Sequence, residues 1–147
     1  MKMRHVSYED VPTMSNWWAE RSPQEVRDLV KRALRLKAHD RGGGFVALND
    51  QVLCGFAMLT YWVNVAEISD LFVIPGYRGQ GIGTDILKAL LEQAHKAGYT
   101  DIEIGVLASN TRARRLYERM GFVPVRTIQH KFPHGYEDII YLLSSPQ

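Results

Sequence analysis

The chain has 147 residues, 46% of them hydrophobic and 23% charged, with a formal net charge of +2 at pH 7. That length buries roughly two-thirds of its unfolded surface in one core, and so small a charge points to neither nucleic acid nor a membrane surface as a partner. A single cysteine, Cys54, excludes an internal disulfide and fits a reducing compartment, and an opening MKMRHVSYEDV without an apolar core is not a secretory signal.

Met3 to Tyr8 reads as a short strand, and Glu9 to Glu20 as a helix with Val11, Met14, Trp17 and Trp18 on one face. Ser22-Pro23-Gln24-Glu25 is a helix start: a serine cap, proline at the first helical position, and an acid three residues after the cap. The helix it opens carries Val26, Leu29, Val30, Ala33, Leu34 and Leu36, and stops near Arg41. Gly42-Gly43-Gly44 reads as a loop before the strand-like FVALN, and Asn49-Asp50 as a hairpin turn. Gln51 to Trp62 and Val65 to Ile74 are the next strands, with Cys54 an inert core thiol in the first of them. A helix from Gln80 to Ala97, a buried strand from Asp101 to Leu107 and a helix from Asn110 to Met120 follow, the last closed by Gly121. Phe122 to Lys131 and Tyr136 to Leu143 form a final hairpin-like pair around Phe132-Pro133-His134-Gly135. No apolar run approaches the ~20 residues of a membrane span. The order βααβββαβαββ predicts one α/β (α+β) domain over residues 1–147, with a mixed sheet, in a soluble and cytoplasmic protein.

The most informative stretch is LFVIPGYRGQGIGT, Leu71 to Thr84. Strand, glycine-rich turn and helix in that order leave the amides of the first helical turn unpaired and aimed into the turn, while Gly79, Gly81 and Gly83 let a ligand approach the main chain. A phosphate suits that field and Arg78 adds a fixed charge. The glycines alone fit a tight strand-to-helix connection equally well. The turn lacks the Gly-Lys-Ser/Thr ending of a P-loop, and it lies mid-chain rather than after a first strand as in a dinucleotide fold. Beyond it, Asn110, Ala113 and Tyr117 recur at helical spacing ahead of Gly121-Phe122. With Arg78, Gly81 and Gly83 they make the chain resemble the GCN5-related N-acetyltransferase (GNAT) family, whose signature is Arg/Gln-x-x-Gly-x-Gly followed by Asn-x-x-Ala-x-x-x-Tyr and Gly-Phe. The resemblance implies a mixed central sheet flanked by helices.

It also implies acetyl-CoA as co-substrate and a primary amine as acceptor, through direct attack on the thioester and without a metal. Pyrophosphate is then expected on the amides from Arg78 through Gly79, Gln80, Gly81, Ile82, Gly83 and Thr84, and pantetheine along the backbone of Leu71, Phe72 and Val73, with Asn110 as helix cap and CoA contact. Tyr117 matches the family's acid for the departing thiolate and Glu67 its base. Strand alternation sets Glu67, Ser69, Leu71 and Val73 on one face, barring a bulge, and turns Asp70 away. Acceptor recognition falls to the first two helices and the last hairpin, so Trp17, Trp18, Tyr61, Trp62, Phe132, His134 and Tyr136 are candidate pocket walls. The arginines at 112, 114, 115 and 119 read as a solvated helix face that reaches at most the CoA 3′-phosphate. His130 and His134 are four apart, but Pro133 denies them a shared helical face, so no metal site is expected. Gly105 stands where related protein N-terminal acetyltransferases carry a glutamate base, which puts a small-molecule amine ahead of a protein. A non-catalytic acetyl-CoA-binding module is the alternative of another class, and a homodimer is a further family-level expectation.

Overall fold

A computed structural model describes residues 1–146. The elements run β1 (Lys2–His5), α1 (Val11–Met14), α2 (Pro23–Ala38), β2 (Gly42–Asn49), β3 (Val52–Tyr61), β4 (Ala66–Val73), α3 (Ile82–Lys96), β5 (Ile102–Leu107), α4 (Thr111–Arg119), β6 (Val123–Phe132) and β7 (Gly135–Ser144). The strands form one seven-stranded sheet in the order β1-β2-β3-β4-β5-β7-β6, antiparallel except for β4 beside β5. One apolar core joins α3 and α4 to one face of the sheet through Ile86, Leu87, Leu90, Ile68 and Ile104. A second joins α1 and α2 to the other face through Met14, Val26, Val30, Phe56 and Met58.

Local signals account for several element ends. Ser22 Oγ accepts from the Glu25 amide at 3.1 Å, and Glu25 Oε1 accepts from the Ser22 amide at 3.1 Å, the reciprocal cap that its spacing predicts for α2. Asn110 Oδ1 accepts from the Ala113 amide at 3.1 Å and opens α4.

Two expectations need correction. The helix expected over Glu9 to Glu20 is a 3-10 turn at Tyr8–Asp10 followed by only four residues of α1. Asp10 is drawn in beneath the turn, where it accepts from the Ser7 amide and from both Nη atoms of Arg4 at 2.8 and 2.9 Å. After Met14 the aromatic pair leaves the helical path, because Trp17 and Trp18 both pack against Phe72. The glycine run is not a loop but the start of β2. A Cβ at Gly44 would lie 2.6 Å from the Ala33 Cβ, so the absent side chain is what lets α2 sit this close to the sheet.

Candidate active site

The site is made by an irregularity in β4. Phe56 pairs with Phe72 and Met58 with Ser69, so three steps on β4 match two on β3, and the extra residue sits at Asp70–Leu71. Asp70 takes φ +56, a left-handed conformation inside a strand. The alternation expected from Glu67 to Val73 therefore breaks. Ile68, Leu71 and Val73 pack on the α3/α4 face, whereas Phe72 packs on the α1/α2 face. Ser69 and Glu67, opposite Met58 and Thr60, share that second face, so Glu67 lies across the sheet from Leu71 and Val73.

β4 and β5 pair only at Ala66–Ile102, Glu67–Glu103 and Ile68–Ile104. Beyond Ile68 the two strands part, leaving the edge of Leu71 to Val73 without a ladder partner on that side. A cleft of about 450 Å³ opens at this gap, lined by Leu71, Phe72, Val73, Arg78, Gly79, Gly81, Ile82, Gly83, Thr84, Asn110 and Tyr117 among others. Every expected cofactor-contacting residue lines it except Gln80, which bonds back to the Gly76 carbonyl at 3.4 Å.

Gly81 begins α3 at φ +81 and ψ 5, and no side chain caps the helix, so its first amides are free to meet an anion. A Cβ there would meet nothing within 4 Å; the glycine is needed for its backbone angle and not for room. At Gly83 a Cβ would lie 3.4 Å from Leu116 and 3.8 Å from Val73, within ordinary contact of both. Arg78 folds back across the β4 edge: its Nε donates to the Val73 carbonyl at 2.8 Å and its guanidinium lies 5.3 Å from the Phe72 ring centre.

Tyr117 is 4% exposed and lines the cleft, and its hydroxyl makes no hydrogen bond to the described residues. Burial pushes its pKa up to about 12, so the phenol holds its proton at any working pH. Glu67 Oε1 accepts from Trp62 Nε1 at 2.9 Å, outside the cleft lining. Of the expected acceptor-side aromatics, Trp18 lines the cleft and Trp17 stacks beneath it on Phe72 at 6.0 Å. Tyr61 does not reach it: the ring stacks on Tyr99 at 4.9 Å against the α3/α4 core. Phe132, His134 and Tyr136 stand on the β6–β7 hairpin, which is tied to the start of α4 by a Ser109–Glu137 hydrogen bond. Cys54 is fully buried, and burial pushes its thiol up, away from nucleophile chemistry.

The lining also holds the motif residue Ala113, the arginines Arg112 and Arg119, and Glu20, Tyr77 and Leu116, which are not signature positions. The two arginines were within reach of the sequence. Arg112 and Arg119 are seven apart, two helical turns, and flank the face defined by Ala113, Leu116 and Tyr117. Only Arg114 of the four makes a helix-surface pair, with Glu118 at 2.7 Å. Among the described residues no group of three His, Cys, Asp or Glu side chains could hold a metal ion, and no helix is long and apolar enough to cross a membrane.

A model of the acetyltransferase (GNAT) family matches residues 9–122. The chain belongs to this family of acyltransferases. It is 43% identical over 66 residues to a thialysine N-epsilon-acetyltransferase of Mus musculus, covering 45% of this chain and 39% of that protein. It is 30% identical over 92 residues to the [ribosomal protein bS18]-alanine N-acetyltransferase of Escherichia coli, covering 61% of this chain and 62% of that one. Both matches thus span less than two-thirds of the relative's length. A structure from Salmonella typhimurium, solved with its cofactor acetyl-CoA, superposes with a TM-score of 0.80 at 18% identity, over 99% of this chain and 93% of that one. At that identity the likeness speaks for the fold alone.

Proposed function

We propose that this chain transfers the acetyl group of acetyl-CoA to a primary amine of a small molecule. The observation that carries the reading is the gap between β4 and β5, which joins the uncapped start of α3 to the Tyr117 hydroxyl in one cleft. The residues suit the donor: free amides and Arg78, Arg112 and Arg119 for phosphates, and a strand edge without a ladder partner, its Val73 carbonyl held by Arg78, for an extended amide-bearing arm. Acetyl-CoA supplies the acyl carbon as a thioester. The amine nitrogen forms a bond to that carbon as the carbon–sulfur bond breaks. Glu67, reached directly or through water, takes one proton of the incoming ammonium, Tyr117 gives its proton to the sulfur, and the second proton that the nitrogen sheds on becoming an amide restores the phenol. Because burial keeps Tyr117 neutral, it is a donor and not a base.

A small acceptor is favoured by Gly105, which offers no carboxylate base; a Cβ there would lie 3.0 Å from the Tyr141 ring, so any side chain needs that ring to give by a few tenths of an ångström. A protein N-terminus is the second reading, favoured by the similarity to the bS18-alanine enzyme. Calorimetric titration with acetyl-CoA tests the first step, and no heat at high ligand concentration refutes it. Thiol release against a panel of small amines and a peptide with N-terminal alanine tests the rest. Turnover of the peptide alone moves the assignment to the second reading, and binding with no turnover leaves a non-catalytic acetyl-CoA module.

A further inference from the structure

Each oxygen of the Asp70 carboxylate accepts from an arginine. Arg21 Nη2 lies 2.7 Å from Oδ1 and Arg32 Nη2 3.4 Å from Oδ2, with the Asp70 side chain 18% exposed. The two arginines come from different places: Arg21 from the segment between α1 and α2, Arg32 from α2 itself. The Arg21 guanidinium also lies over the Trp18 ring, 4.7 Å from its centre. Trp18 in turn packs against Phe72 at 5.0 Å and edge-on against Phe56 at 6.4 Å. Trp18 and Glu20 both line the cleft, and Glu20 is the one carboxylate among its lining residues. A chain of contacts therefore runs from the β4 bulge through Arg21 to the wall of the cleft on the α1/α2 side. The backbone points the same way. Glycine would meet φ +56 without strain, so what Asp70 offers at this position is its side chain.

We propose that Asp70 is a positioning residue for the amine: its carboxylate, through Arg21, fastens the Trp17–Arg21 segment to the β4 bulge, which Arg32 ties to α2, and so holds Trp18 and Glu20 in place as the acceptor wall. The proposal rests on the acetyl-transfer reading above. It gives Asp70 no proton to move. Its two oxygens already accept from guanidinium groups, which leaves it a poor candidate for the base. Glu20 then faces the incoming ammonium with its position fixed from behind.

The test uses Asp70→Asn, Asp70→Gly, Arg21→Gln and the Asp70→Asn/Arg21→Gln double variant. Asparagine tolerates the left-handed angle and glycine prefers it, so both should fold, and the glycine variant removes the carboxylate while relieving the backbone. At saturating acetyl-CoA each single variant should raise the amine KM by roughly fivefold to tenfold, about the weight of one ordinary hydrogen bond, with kcat within threefold. The double variant should be no worse than the worse single one, because both break the same link. Acrylamide quenching in a Trp62→Phe background reports Trp17 and Trp18 without any substrate, and should rise in all four. Multiplying effects in the double variant, a fall in kcat at unchanged KM, or unchanged quenching would each overturn the proposal. If the wild-type protein turns over no amine, the acetyl-transfer reading fails while the quenching result still decides the clamp.

Discussion

Tyr117→Phe separates chemistry from packing, because the hydroxyl it deletes has no protein partner among the described residues. Phenylalanine keeps the ring that packs on Phe122 at 6.3 Å and strands no donor or acceptor. Stability at pH 7 should therefore stay within about 1 kcal/mol of wild type. If the phenol protonates the leaving sulfur, kcat should fall roughly 10- to 100-fold, or about 1.4–2.7 kcal/mol of barrier, with acetyl-CoA affinity nearly unchanged. The raised pKa gives a second, independent readout. In the folded state Tyr117 titrates near 12, while an unfolded tyrosine titrates near 10. Above pH 10 the unfolded chain loses a proton that the folded chain keeps, so stability falls as pH rises through this window and is fully present below it. At pH 11 the wild type should have lost about 1.4 kcal/mol more than the Phe variant, measured as the difference of their urea-melt stabilities between pH 8 and pH 11. An unchanged kcat would show that Tyr117 only packs, and equal alkaline losses in the two proteins would show that its hydroxyl is not desolvated.

Glu67→Gln should depress kcat/KM near neutral pH, with a deficit that shrinks at high pH as free amine supplies itself; a pH profile identical to wild type would pass the proton to water. Gly44→Ala drives a methyl to within 2.6 Å of the Ala33 Cβ and 3.1 Å of the Phe56 ring. It should cost about 1–3 kcal/mol in a urea melt, and a neutral result would mean that α2 shifts freely off the sheet. Asp10 is held below the usual aspartate range, first by its bonds to Arg4 and then by the Ser7 amide, so its contribution is present at neutral pH and is lost as pH falls through its lowered value. Thermal melts of Asp10→Asn should accordingly start lower at pH 7 and lose less than wild type on acidification toward pH 3, and parallel acid profiles would refute this.

What was legible in the sequence was whatever short-range chemistry decides. Ser22 with Glu25, and Asn110 with Ala113, are caps closed within three residues, and the glycine turn at Arg78 to Gly83 follows from neighbours on both sides. What was not legible depended on residues far along the chain. Gly42 to Gly44 look like a loop until Leu59 of β3 is laid against Gly42 and Ala33 of α2 against Gly44. Trp17 and Trp18 sit at helical spacing with Val11 and Met14, yet Phe72 takes them off the helix. The bulge at Asp70 carries no glycine to announce it; its arginine partners lie 49 and 38 residues away, and without them an aspartate in a strand reads as one more alternating position.

That bulge decides how one strand can serve two sides of a reaction. With strict alternation Glu67, Leu71 and Val73 would share a face, and a base on Glu67 would compete for space with the donor arm along the strand edge. The extra residue puts Glu67 and Phe72 on the α1/α2 face and Leu71 and Val73 on the face of α3 and α4, where Tyr117 lies. In the proposed reaction the amine then loses its proton on one face of the sheet while the sulfur gains one on the other, with the acyl carbon between the parted strands. On that reading the proton donor and the proton acceptor lie on opposite faces of the sheet. The left-handed turn at φ +56 is confined to Asp70, and it reverses the facing of the β4 residues beyond it relative to Glu67 and Ser69.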